Sequence, residues 1–215
     1  VSFGNGNLSL LSWNGRGICL YNSVDRANMR DSIRTLACKA NILCLQEVHG
    51  LPGEISATLS EWLPGWGIFA SVCVGDDRMH NPSAGGVVVA VCPALAGCTT
   101  QTLVPLIPGR CCALEIQMGQ SLLCVMNLHN YGLSRSQVLS VGDFMSLWDD
   151  DVRASPGEGF AVLMGDLNIL APGEQKFKVG QPVIASGVHH AFPAAVHAAL
   201  WGGILKLWTE VVQPF

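Results

Sequence analysis

Apolar positions recur along this chain with two periods, and stretches of each period alternate. N-L-S-L-L-S-W-N, residues 7–14, reads as a short apolar strand closing on Asn14, and G-R-G-I-C-L-Y-N-S after it reads as a loop punctuated by two glycines. Ser23 or Asp25 then caps a helix whose Met29, Ile33, Leu36, Ala37 and Ala40 keep the i, i+4, i+7, i+8 spacing of one buried face. I-L-C-L-Q-E, residues 42–47, is the next strand. A second amphipathic helix places Ile55, Leu59, Trp62 and Leu63 on one side and stops at Pro64-Gly65. Strands follow in W-G-I-F-A-S-V-C-V and G-G-V-V-V-A-V-C, then in R-C-C-A-L-E-I-Q-M and S-L-L-C-V-M-N-L-H, which Gly119-Gln120 joins as a hairpin. A third helix carries Val138, Val141, Met145, Trp148 and Val152 on one face, before the strand G-F-A-V-L-M-G-D-L-N. Strands in adjacent pairs mixed with strands joined through helices predict an α+β sandwich of several layers: two stacked sheets with helices outside.

Past residue 171 the texture changes. Gly and Pro punctuate A-P-G-E-Q-K-F-K-V-G-Q-P-V-I-A-S-G, and Val196, Leu200, Ile204, Leu207 and Val211 share one face of a terminal helix. The expected organisation is one domain over residues 1–171, with 172–215 a linker and a terminal amphipathic helix that form a truncated part of the same domain. A first residue of Val rather than Met fits a piece of a longer polypeptide.

Composition narrows the function classes. The chain has 215 residues, of which 13% are charged. Its apolar runs of about six to eight residues fall well short of the ~18 that span a bilayer, so no membrane partner is expected. Nine cysteines is an odd number, and Cys38, Cys44, Cys73, Cys92 and Cys124 sit inside apolar periodic segments, as small packed hydrophobes would. A reduced, intracellular, non-secreted protein is expected. Neither adjacent Cys111-Cys112 nor His189-His190 has the spacing of a zinc site. A net charge of −4 argues against a broad basic nucleic-acid surface, though not against local contact with phosphate. The local cluster Arg16, Arg26, Arg30, Arg34 and Lys39 reads as a solvated helix face, and Asp149, Asp150 and Asp151 point in different directions from one helix, as surface groups do.

Four strands finish alike. Asn14, Glu47, His129, and Asp166 with Asn168 each put a polar group at the end of an apolar strand. One such residue alone is a turn former, a satisfied histidine or a helix cap. Strands lying side by side bring their ends to one rim, where Glu and Asn oxygens suit a hard cation such as Mg²⁺. Asp166 could then orient or deprotonate a water, and His129 and Asn168 could donate hydrogen bonds to a phosphate.

The succession W-N, L-Q-E, N-L-H, G-D-L-N, each at a strand end, resembles the endonuclease/exonuclease/phosphatase superfamily over residues 8–170, and is most similar to the endonuclease domains of non-LTR (LINE-type) retrotransposons. L-Q-E-V-H and G-D-L-N are the specific parts. The resemblance implies a four-layer α/β/β/α sandwich and phosphodiester hydrolysis dependent on Mg²⁺ or Mn²⁺. It implies metal binding by Asn14 and Glu47, catalysis by His129, Asp166 and Asn168, and substrate contacts from Asn168, Asn127 and Arg16. DNA is the implied partner, in the nucleus, with a fused reverse transcriptase. His129 takes a position where LINE-type members usually carry Tyr and phosphatase-like members His, which keeps a phosphatase or lipid phosphodiesterase open. The superfamily also ends on an S-D-H triplet that is found nowhere here. The chain is therefore expected either to lack its last strands or to be a catalytically incomplete remnant or interaction module.

Overall fold

The computed structural model describes residues 2–3, 6–19, 23–73, 85–97, 99–131, 133–154 and 157–167. The expected terminal helix, the segment 172–215 with His189 and His190, and Asn168 lie outside the described residues. Residues 1–130 and 148–167 form one compact unit, built on two four-stranded mixed sheets.

A two-residue pair, β1 (Ser2–Phe3) with β2 (Gly6–Asn7), precedes the first sheet. That sheet consists of β3 (Leu10–Asn14), β4 (Ile42–Gln46), β5 (Gly67–Ser71) and β6 (Val87–Val91) in the order β3-β4-β6-β5. The second holds β7 (Thr100–Ile107), β8 (Cys111–Met118), β9 (Ser121–His129) and β10 (Gly159–Asp166) in the order β10-β9-β8-β7. Each sheet has one parallel pair, β3 with β4 and β10 with β9, followed by two antiparallel pairs. The sheets pack face to face with β3 and β4 against β10 and β9, giving the expected α+β sandwich of two stacked mixed sheets flanked by helices.

On the outer face of the first sheet lie α1 (Ser23–Ala37) and α2 (Pro52–Trp62). Asp25 in the first turn of α1 faces the positive end of its helix dipole. Pro52 opens α2 where a missing N–H costs nothing, and Glu54 accepts the Leu51 N–H at 2.9 Å. Ile33, Ile55, Leu59 and Trp62 bury against Leu43, Leu45, Val88 and Ala90, while Ile42, Cys44, Val87, Val89 and Val91 bury against the second sheet. Apolar cover on both faces is why V-V-V-A-V shows no alternation. The basic cluster on α1 is only partly the solvated face that was expected. Arg26 reaches Thr58 Oγ1 at 3.1 Å and stacks over the Trp62 ring, and Arg34 Nε donates to the Trp62 carbonyl at 3.0 Å, so both fasten α1 to α2.

A four-residue helix, α3 (Pro93–Ala96), leads into β7, a strand the apolar pattern did not predict. Alternating Thr and Gln and an internal Pro105 dilute its signal, and a proline is tolerated there because β7 is an edge strand with a register shift after Pro105. The β8–β9 hairpin has the expected tight turn, Met118 pairing with Ser121. The long helix α4 (Arg135–Ala154) follows, and Val152 in its last turn packs on Gly159 at the start of β10. Asp149, Asp150 and Asp151 are exposed, as expected. Of the cysteines singled out earlier, Cys44, Cys73, Cys92 and Cys124 are buried, whereas Cys38 is exposed. Burial pushes the thiols of Cys112 and Cys124 up to about 12, which leaves them as inert packing.

Candidate metal centre

The faces that meet between the sheets run apolar and then turn polar at one end. Leu10 is followed on its side of β3 by Ser12 and Asn14, and Ile42 and Cys44 on β4 by Gln46. Leu123 and Val125 on β9 are followed by Asn127 and His129, and Phe160, Val162 and Met164 on β10 by Asp166. Because both parallel pairs end at this edge, Asn14 aligns with Gln46 and Asp166 with His129. Glu47, one residue past β4, would face the helices if the strand continued. It takes a left-handed conformation instead, with φ +52°, and its carboxylate reaches Nε2 of His129 at 3.1 Å.

Neighbouring loops hold that conformation. The Glu47 carbonyl accepts the Gly17 N–H at 2.6 Å, Val48 N–H donates to Gly86 at 3.1 Å, and Gly86 N–H donates to Gly109 at 2.9 Å. A non-glycine residue in this region persists only where its surroundings over-determine it. Gly165 meets a related demand on the other sheet. Its φ is +142°, and a Cβ there would overlap the carbonyl oxygen of Leu128, so only glycine lets β10 deliver Asp166 at this register.

Asn14 Nδ2 donates to Asp166 Oδ2 at 2.8 Å, and Asn14 Oδ1 accepts the Arg16 N–H at 3.0 Å. One ligand atom from each of Glu47, His129 and Asp166 falls within 4.8 Å of the other two. Opposite ligands of Mg²⁺ stand about 4.2 Å apart, so the Glu47 and Asp166 carboxylate oxygens of this group need draw in by only about half an ångström to share a cation. Two carboxylates this close repel by on the order of 3 kcal/mol at an effective dielectric of ~20. A bound cation would reverse that term, so the donor set fits a hard divalent ion.

His129 is buried, and Arg110 NH1 lies 3.2 Å from its Nδ1. A guanidinium only donates, so Nδ1 carries the lone pair and Nε2 the hydrogen, facing Glu47. The ring N–H lies 3.1 Å from the Glu47 carboxylate. Burial first, and then the Arg110 charge, lower the His129 pKa below the ordinary histidine value, against the opposing pull of Glu47 and Asp166.

Of the residues expected at the site, Asn14, Glu47, His129 and Asp166 come together. Arg16 is exposed two residues past Asn14, and Asn168 lies outside the described residues. Asn127 requires correction as a substrate ligand. It has no exposed surface, its Nδ2 donates to the carbonyls of Leu45 at 3.0 Å and Val88 at 2.9 Å, and its Oδ1 accepts from Gln46 Nε2 at 2.6 Å. A buried amide with those partners joins the sheets and does not meet a ligand. Sequence reasoning also missed Arg110, although the hairpin carried the signal. Stepping back pair by pair from Met118 and Ser121 sets Arg110 opposite His129, whose N–H donates to the Arg110 carbonyl at 2.7 Å. Asn130 was missed too. Its backbone N–H bonds the Asp166 carbonyl at 2.8 Å and its Nδ2 the Leu167 carbonyl at 2.7 Å, which fixes the end of β10.

The chain belongs to the endonuclease/exonuclease/phosphatase family, whose sequence model matches residues 11–179. Among solved structures it is similar to an AP endonuclease from Leishmania major, at 15% identity over 80% of this chain and 59% of that one, with a TM-score of 0.58. It is similar also to ANGEL2, a 2',3'-cyclic phosphatase crystallised with adenosine-2',3'-vanadate, at 17% identity, 77% and 54% coverage and a TM-score of 0.54. Truncated TDP2 from Caenorhabditis elegans gives 17%, 80%, 67% and 0.51. These likenesses establish the fold, and the chain spans about three-fifths of the length of the structures it resembles. No curated protein sequence matches it.

Proposed function

We propose that the chain hydrolyses phosphodiesters with a divalent cation, and that its substrate is DNA. The observation that carries this is the meeting of Asn14, Glu47, His129 and Asp166, from four strands of two sheets, around one space fit for a cation. A cation bound there would withdraw charge from a phosphoryl oxygen. Glu47 and Asn14 would hold it, and the oxygen-rich set favours Mg²⁺, with Mn²⁺ as substitute. Asp166, oriented by Asn14, would accept the proton of the attacking water as the P–O ester bond breaks. His129 would donate its Nε2–H to the charge that develops on the phosphoryl group. L-Q-E-V-H and G-D-L-N support the finer reading, a LINE-type endonuclease that nicks nuclear DNA and is fused to a reverse transcriptase.

One observation favours a second reading. The S-D-H triplet of the superfamily, whose histidine would serve as general acid, has no counterpart in this sequence, and working without a general acid costs about 10²- to 10⁴-fold in rate. The chain would then bind DNA or another partner with little turnover. Nicking of supercoiled plasmid under single-turnover conditions decides between the two. We expect slow relaxation that needs Mg²⁺ or Mn²⁺ and disappears in Glu47→Ala. Cation binding without nicking would establish the second reading, and nicking that survives both Glu47→Ala and chelator would overturn the first. Phosphoinositides and sphingomyelin offered in parallel test the phosphatase and lipid phosphodiesterase alternatives.

A further inference from the structure

The candidate ligands are divided between two sheets: Asn14 and Glu47 belong to the first, His129 and Asp166 to the second. Among the described residues no backbone connection joins the two sheets near the rim. Apolar faces gain nearly the same free energy at neighbouring offsets, since burial is non-directional. Hydrogen bonds are directional, and a buried amide left without partners costs about 1–3 kcal/mol.

We propose that Gln46 and Asn127 are positioning residues that lock the two sheets at the offset which closes the metal centre. Gln46 Nε2 donates to Asn127 Oδ1 at 2.6 Å, to Ser12 Oγ at 3.1 Å and to the Cys44 carbonyl at 3.1 Å. Asn127 Nδ2 reaches across to carbonyls on two strands of the first sheet, Leu45 on β4 and Val88 on β6. Three of these bonds, Gln46 to Asn127 and Asn127 to the Leu45 and Val88 carbonyls, tie β9 to both central strands of the opposite sheet, and the Gln46 and Asn127 side chains have at most 1% exposure. The brace sits directly beneath the site, since Gln46 precedes Glu47 in the chain and pairs with Asn14, while Asn127 lies two residues before His129 on the same face. Sliding the sheets would break these bonds together and separate Glu47 from His129 and Asn14 from Asp166.

Replacing both amides, Gln46→Leu with Asn127→Leu, removes their mutual donor and acceptor at once and keeps most of the apolar fill, so the thermal midpoint should fall only by what the Leu45 and Val88 carbonyls lose with the Asn127 donor. Affinity for Mn²⁺, read by electron paramagnetic resonance, should fall 10- to 100-fold, the usual cost of removing a group that orients ligands. Only this readout rests on the cation reading. In crystals of the metal-free variant the Glu47–His129 and Asn14–Asp166 contacts should lengthen, whether or not a metal binds. Asn127→Ala, with room for a water to serve the strand carbonyls, takes over both measurements if the double variant does not fold. Intact rim contacts in the variant overturn the proposal. Opened contacts in a protein whose wild type binds no Mn²⁺ support the brace and refute the metal reading instead.

Discussion

Replacing Glu47 by glycine should stabilise the metal-free protein while abolishing its capacity to hold a cation. Glu47 adopts φ +52°, where a side chain costs about 1–2 kcal/mol. Glycine avoids that cost but gains about 0.4–1 kcal/mol of unfolded-chain entropy, leaving a net preference of about 1 kcal/mol. The same substitution removes one of two carboxylates crowded with His129 within 4.8 Å. Their repulsion, on the order of 3 kcal/mol by Coulomb's law at a dielectric of ~20, is weaker where water reaches Glu47, so it adds only part of that figure. Glu47→Ala loses the carboxylate and keeps the strained backbone, which separates the two contributions. In chelator, thermal unfolding followed by circular dichroism should place Glu47→Gly above Glu47→Ala by about 2–4 °C, the shift expected of 1 kcal/mol in a chain this long. With Mg²⁺ at about a hundred times its dissociation constant, wild type should gain about 2.7 kcal/mol and both variants little or nothing. Equal midpoints for the two variants in chelator would refute the strain argument. A cation-induced rise as large in Glu47→Gly as in wild type would remove Glu47 from the ligand set.

Gly165→Ala should destabilise the fold by on the order of 3 kcal/mol or more, read from urea denaturation, because the new Cβ meets the Leu128 carbonyl at φ +142°. An unchanged urea midpoint would show that β10 shifts freely. Stability should also depend on pH through His129. Its folded pKa lies below the ordinary value, so as pH falls through about 6.5 the unfolded chain binds a proton that the folded chain does not, and stability is lost until the folded group titrates as well. His129→Asn should flatten that part of the stability–pH curve measured in chelator, and Arg110→Met should reduce its slope. A curve unaltered by His129→Asn would place the responsible group elsewhere.

The sequence by itself determined the layers and much of the rim. A period of two with apolar residues on one or both faces is a local property, written into each strand wherever its partner lies, and it marked the places where an apolar face gives way to Asn14, Glu47, His129 and Asp166. The hairpin register was equally local, and counting along it reaches Arg110. Only the tertiary structure decided what those faces meet. Gln46 and Asn127 are 81 residues apart, and nothing near either shows that each satisfies the other, so Asn127 read as a ligand until both sheets were in place. The left-handed turn at Glu47 was hidden for the same reason: bonds from loops at Gly17, Gly85 and Gly86 impose it, against the local preference of a glutamate. Periodicity tells which side of a strand is buried, while the partner and the offset come from contacts between segments far apart in the chain.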